Sequence, residues 1–90
     1  MARANVDPTE LRRFATDLSR FSNELQGMMA ALHARAQDLA TSWRDQEQRK
    51  FAEEMEQAIR TLQRFLESAG RHVAFLNKKA GHVEEYLKQR

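Results

Sequence analysis

A leucine recurs at every seventh position from Leu11 through Leu18, Leu25 and Leu32 to Leu39, and no other feature of the chain limits its fold so strongly. Phe14, Phe21 and Met28 each follow three residues after a leucine, and only Arg35 interrupts that second spacing. Apolar residues alternating three and four apart over four heptads specify a helix that packs lengthwise against others at a shallow angle. Beside the leucines a further heptad row, Ala15, Ser22, Met29, Ala36 and Trp43, is built mostly of small side chains that admit a close neighbour. Gly27 lies off both rows, where it costs ~1 kcal/mol relative to Ala. It reads as a tolerated surface glycine, with close helix contact as the alternative.

The start of this helix is written just before the first leucine. Asp7-Pro8-Thr9-Glu10 supplies an N-cap acceptor, a proline at the first helical position and a glutamate placed to reach back. Met1 to Val6 carry no pattern and are expected to form a loose arm. After Leu39 the aliphatic rhythm lapses for more than ten positions, and the gap contains the only tryptophan, in Thr41-Ser42-Trp43-Arg44-Asp45-Gln46. Ser42 or Asp45 can cap a second helix.

Past the gap, Ala52, Met55, Ile59, Leu62, Leu66, Ala69, Val73, Leu76, Ala80, Val83 and Leu87 hold the three-four alternation without an error. Phe51, Ala58, Phe65, His72, Lys79 and Tyr86 form a flanking heptad row. A break at Gly70 would make three helices, but the apolar phase runs through it unchanged, which favours a single helix. The expected fold is therefore all-α: one domain over 1–90, with helices at about 8–40 and 46–88 joined by a turn at about 41–45, fraying from about 85. A short connection makes the two helices antiparallel neighbours. At 1.5 Å per residue they would be ~50 Å and ~65 Å long, so about the last ten residues are expected to overhang.

Such a hairpin cannot bury all of its apolar surface. The Leu11, Phe14, Leu18, Phe21, Leu25, Met28, Leu32 and Leu39 seam meets the Met55, Ile59, Leu62, Leu66, Val73, Leu76 and Val83 seam. Phe51, Phe65 and Tyr86 widen one helix while Ala15, Met29 and Trp43 widen the other. Faces this wide belong to a four-helix core, so two hairpins are expected to pair.

Composition removes several other functions. Fifteen basic and thirteen acidic residues leave a net charge of +2, and cysteine is absent, which excludes disulfides and thiolate metal sites. His33, His72 and His82 form no ligand spacing, so no metal, cofactor or catalytic residue is assigned. Glu53, Glu54 and Glu56 suit the start of a helix, where the macrodipole favours negative charge. Lys78-Lys79 are followed at once by Glu84 and Glu85 with no aromatic interleaving, which argues against nucleic-acid binding. No apolar run reaches the ~20 residues of a membrane span, and the first residues lack the apolar stretch of a cleaved leader.

A chain of this length with two long helices, no cysteine and a Trp at the turn resembles the WxG-motif, ESAT-like family of bacterial type VII secretion. Trp43-Arg44-Asp45 stands where the family has Trp-x-Gly, and Phe51 occupies the aromatic or apolar position eight residues after the Trp. The resemblance implies a non-enzymatic substrate, carrier or chaperone-like partner, paired as a homodimer or as a heterodimer with a second WxG-type protein. A secretion ATPase or a larger effector is the further partner it implies. Localisation would be secreted without a cleaved signal, or cytoplasmic before export. Two positions depart from the family: Asp45 replaces the glycine, and Tyr86-Leu87-Lys88-Gln89-Arg90 puts Arg90 at the acidic position of the family's Tyr-x-x-x-Asp/Glu tail. Tyr86 is thus a degenerate form of that tail. The reading outside secretion is an intracellular helical scaffold or coiled-coil adaptor.

Overall fold

The structure is a computed structural model that describes residues 6–89; most of the arm expected over 1–6, and Arg90, lie outside the described residues. Helix α1 spans Pro8–Ser42 and helix α2 spans Gln46–Lys88, 35 and 43 residues long. They lie antiparallel in a hairpin measuring 68 × 20 × 13 Å. The fold class expected from the two rhythms is the one observed.

Both helix starts follow from short polar side chains. Asp7 accepts a hydrogen bond from the Thr9 amide at 2.9 Å, ahead of Pro8, whose missing N–H would have had no intrahelical partner anyway. Asp45 accepts from the Gln48 amide at 3.0 Å and opens α2. Gly70 leaves α2 unbroken, as the continuous apolar phase requires. A Cβ there would meet nothing within 4 Å, nor would one at Gly27, so neither glycine marks a site of close approach.

The helices meet along a line rotated from the one that the largest side chains draw. On α1 the most buried residues are Ala15, 1 % exposed, and Met29, 7 %, both from the row of mostly small residues. Leu11, Leu18 and Leu25 sit half-buried on the border of the contact, and His33, Ala36, Ala40 and Trp43 continue it toward the turn. Phe14, Phe21, Met28, Leu32 and Leu39 are exposed. Small residues let two backbones approach closely, and their contact excludes the bulkier row beside them. Ser22 belongs to the same buried row, and its hydroxyl finds no hydrogen-bond partner among the described residues.

On α2 the observed contact line is the predicted one. Ile59, Ala69, Ala80 and Val83 are buried, and Ala52, Met55, Leu62, Leu66, Val73 and Leu76 are half-buried. The expected overhang of ten residues needs correction. Ala80 and Val83 are buried, and Arg12 reaches across to Glu84 at 2.7 Å. The reason is steric and lies between the helices: Gly81 leaves room, and its hypothetical Cβ would lie 3.9 Å from the Arg12 guanidinium, so this long side chain extends the contact past the end of the helix axis it springs from. Among the described residues of α2 beyond Ala80, Tyr86 and Leu87 remain as exposed large apolar residues.

Candidate functional site: the turn and the apolar face

The turn is shorter than the 41–45 expected, because Thr41 and Ser42 remain helical and only Trp43-Arg44-Asp45 connect the helices. Carbonyls at a helix end need donors, and no glycine is present here to supply a left-handed cap. Side chains do it instead. The Thr41 hydroxyl donates to the Asp38 carbonyl at 2.7 Å, Ser42 donates to Leu39 at 3.2 Å, and Arg44 Nε donates to Thr41 at 3.3 Å. The Trp43 amide closes the set on the Leu39 carbonyl at 3.0 Å.

Trp43 and Asp45 are both extended, at φ −109° and −101°, and no residue described has a positive φ. The third position of the motif therefore does not need glycine in this chain. An aspartate there caps α2, which glycine cannot do with a side chain. The indole of Trp43 is half-buried against the Phe51 ring, with centroids 5.5 Å apart and planes tilted by 39°. Trp43 and Phe51, eight positions apart in sequence, thus clamp the turn from either side. Next to them, His33, Ala36, Ala40, Phe51, Met55 and Glu56 line a small hollow of about 110 Å³.

The two broad sides of the hairpin differ in chemistry. One side is polar: Arg12 bridges to Glu84 and Asn77, and His33 Nε2 lies 3.3 Å from a Glu56 carboxylate oxygen. Hydrogen bonds from Arg12 hold the Glu84 carboxyl below the usual carboxylate range, helped by the charges of Arg12 and Lys88 and opposed by desolvation. The other side is apolar. There Phe21 meets Phe65 edge to face at 6.1 Å, which fixes the two helices' aromatic rows on one surface. Phe14, Met28, Leu32 and Leu39 extend this surface along α1, with 58 % of Phe14 and 60 % of Met28 exposed. Phe75, 63 % exposed, lies on its α2 border.

The predicted seam residues are thus divided by the structure. Leu11, Leu18, Leu25, Met55, Ile59, Leu62, Leu66, Val73, Leu76 and Val83 join the hairpin's own core, and Phe51 joins Trp43 at the turn. Phe14, Phe21, Met28, Leu32, Leu39 and Phe65 form the outer face. Tyr86 is half-exposed and distant from the turn, at the opposite end of α2. Sequence reasoning did not single out Phe75, because it falls outside both heptad rows of α2. Among the described residues no group of His, Asp and Glu could hold a metal ion, and no helix is long and apolar enough to cross a membrane.

Two comparisons return nothing, since no curated protein and no solved structure matches the chain. A third matches a family profile, WXG100, described as proteins of 100 residues with WXG, over residues 3–86. That span contains both helices nearly whole, the Trp43 turn and the apolar face, and it covers far more than half of the 90 residues. With Trp43 clamping the turn of an all-helical hairpin, the chain belongs to the WXG100 family of small helical proteins, the ESAT-like family generally linked to type VII secretion.

Proposed function

We propose that this protein is a non-enzymatic, paired substrate, carrier or chaperone-like partner of a type VII secretion system, acting by protein recognition. The observation that carries the reading is the family match over 3–86 together with an outer face of Phe14, Phe21, Met28 and Phe65 that the hairpin leaves uncovered. Exposed aromatic and Met side chains in one contiguous stripe are what a second helical hairpin would cover to complete a four-helix core. Trp43, Arg44 and Asp45 form the end surface offered to the secretion machinery, with Trp43 held ready by Phe51.

The test is export. Expressed in a strain with an active type VII system, the protein is expected in the medium, and it is expected to stay in the cells when the secretion ATPase is deleted. Trp43→Ala is expected to keep its helicity and lose export. Retention of the wild-type protein in a strain that exports other WXG100 proteins would instead support a non-secreted helical scaffold. One observation favours that second reading: Arg90 replaces the acidic residue of the family's tail.

A further inference from the structure

The polar side of the hairpin is grooved, and amides line the groove. Three hollows follow one another along it, of about 470, 330 and 110 Å³. Each takes one side-chain amide from each helix: Asn23 and Asn77 in the first, Gln26 and Gln63 in the second, Gln37 and Gln48 in the third. Six of the eight Asn and Gln residues of the two helices therefore stand on this flank, so the amides are gathered rather than spread round the surface. Among the described residues the only hydrogen bond to these amide groups is the one Asn77 accepts from Arg12 at 3.5 Å. The other five each keep two donors and an acceptor for a ligand.

The chemistry of the groove narrows what it can hold. Its charges are balanced, Arg12 with Glu84, Arg20 beside Glu24 and His33 with Glu56, so a polyanion gains no net attraction from it. A docking helix has already paired its backbone groups internally and offers the amides nothing along its length. Sugar rings stack on aromatic faces, and the one phenyl ring in the groove, Phe51, packs against Trp43. An extended polypeptide differs from all three. Each of its residues presents an unpaired N–H and C=O, and an amide side chain meets both at once. In such recognition main-chain hydrogen bonds supply affinity and side-chain pockets supply specificity.

We infer that this groove binds an extended segment of another polypeptide, held by its main chain between the amides of α1 and α2. From Asn23 to Gln37 the helix rises about 21 Å, which about six extended residues span at ~3.3 Å each. The third hollow selects the anchor. Ala36, Ala40, Ala52 and Met55 floor it, and its 110 Å³ suits one branched aliphatic side chain, since ~150 Å³ of apolar space holds benzene. His33 and Glu56 line both the second and the third hollow, so their 3.3 Å contact is a sill that the segment crosses next to its anchor. Phe21 and Phe65 are on the opposite side, so the groove stays open whatever covers the apolar face, and the inference holds whether or not the protein is exported.

The test is an NMR titration of isotope-labelled protein with the peptide acetyl-Thr-Thr-Val-Thr-Leu-Thr-amide, whose β-branched residues favour the extended form. The side-chain amide signals of Gln26, Gln37, Gln48 and Gln63 are expected to shift together and to saturate with a Kd of about 1 mM or tighter. The same peptide N-methylated at alternate main-chain nitrogens is expected to bind at least about tenfold more weakly, as is one with Ser in place of its Leu. Gln26→Leu combined with Gln63→Leu is expected to weaken binding to a similar extent at unchanged helicity. Gln57→Leu, which lines none of the three hollows, is expected to bind as wild type does. The inference is overturned if no signal saturates at several millimolar peptide, if any of the three weakened combinations binds as well as the original, or if the shifts fall on Phe14, Phe21 and Met28 instead. Maltohexaose shifting the same amides at lower concentration than the peptide overturns it in favour of a carbohydrate groove.

Discussion

Replacing Phe14 by Ala separates the hairpin's own stability from its pairing, because the ring contributes to the two unequally. With 58 % of Phe14 exposed and an aromatic side chain burying ~150–250 Å² in full, about 100 Å² remains for a partner to cover. At ~25 cal/mol per Å² this is about 2.5 kcal/mol per protomer, and a two-fold dimer contains the residue twice. Incomplete coverage and the ordering of the ring on binding reduce the sum to roughly 3 kcal/mol, or about 100-fold in Kd. The hairpin itself should lose less than about 2 kcal/mol, since no other aromatic ring packs on Phe14 within it. Sedimentation equilibrium measures the dimer constant, and circular dichroism at low concentration measures the hairpin. Thr16→Ala, exposed on the other flank of α1, is the control. If Phe14→Ala and Thr16→Ala dimerise within about threefold of each other, the apolar face is not the pairing surface. If Phe14→Ala unfolds the dilute monomer, the assignment of the ring to the outside of the hairpin is wrong.

Asp45→Gly restores the family's motif and is expected to cost a few tenths of a kcal/mol by removing the cap on Gln48, with no compensating relief, since the backbone at 45 is extended. Thermal unfolding that showed a gain would contradict the cap assignment. Glu84, held below the usual carboxylate range by Arg12, is a group whose folded pKa is depressed. Its contribution is therefore present above the unfolded carboxylate pKa and is lost as pH falls through the lower folded value. Both partners are exposed, so the effect on stability is small, and an NMR titration of the Glu84 side chain is the sensitive measurement. Arg12→Gln should return the titration of Glu84 to the ordinary range; an unchanged midpoint would show that Arg12 is not the cause.

Much of the hairpin was legible from residue spacing, for a reason rooted in local chemistry. Caps at Asp7 and Asp45 act on amides two or three residues away, and the phase of Ile59 to Val83 is a property of one helix, so neither depends on tertiary contacts. The turn motif was legible in the same way, as a lapse in rhythm with Trp43 at its centre. Which stripe of α1 would face α2 was a different kind of question. The sequence offers three adjacent heptad rows, led by Leu11, Phe14 and Ala15, and all are apolar enough to be buried. Period alone cannot rank them, because the choice depends on how closely two backbones can approach once both helices are present.

Tertiary structure made that choice by packing. Ala15 and Met29 went inside, the leucines took the border, and Phe14, Phe21 and Met28 were left facing outward beside Phe65. The reach of Arg12 to Glu84 over Gly81 likewise depends on two segments more than sixty residues apart and has no local signature. The sequence by itself determined the two helices, their caps and the tryptophan turn, since these follow from interactions between near neighbours in the chain. Only the folded hairpin decided which apolar residues were spent on its own core and which were left for a partner, because burial is a property of two surfaces brought together.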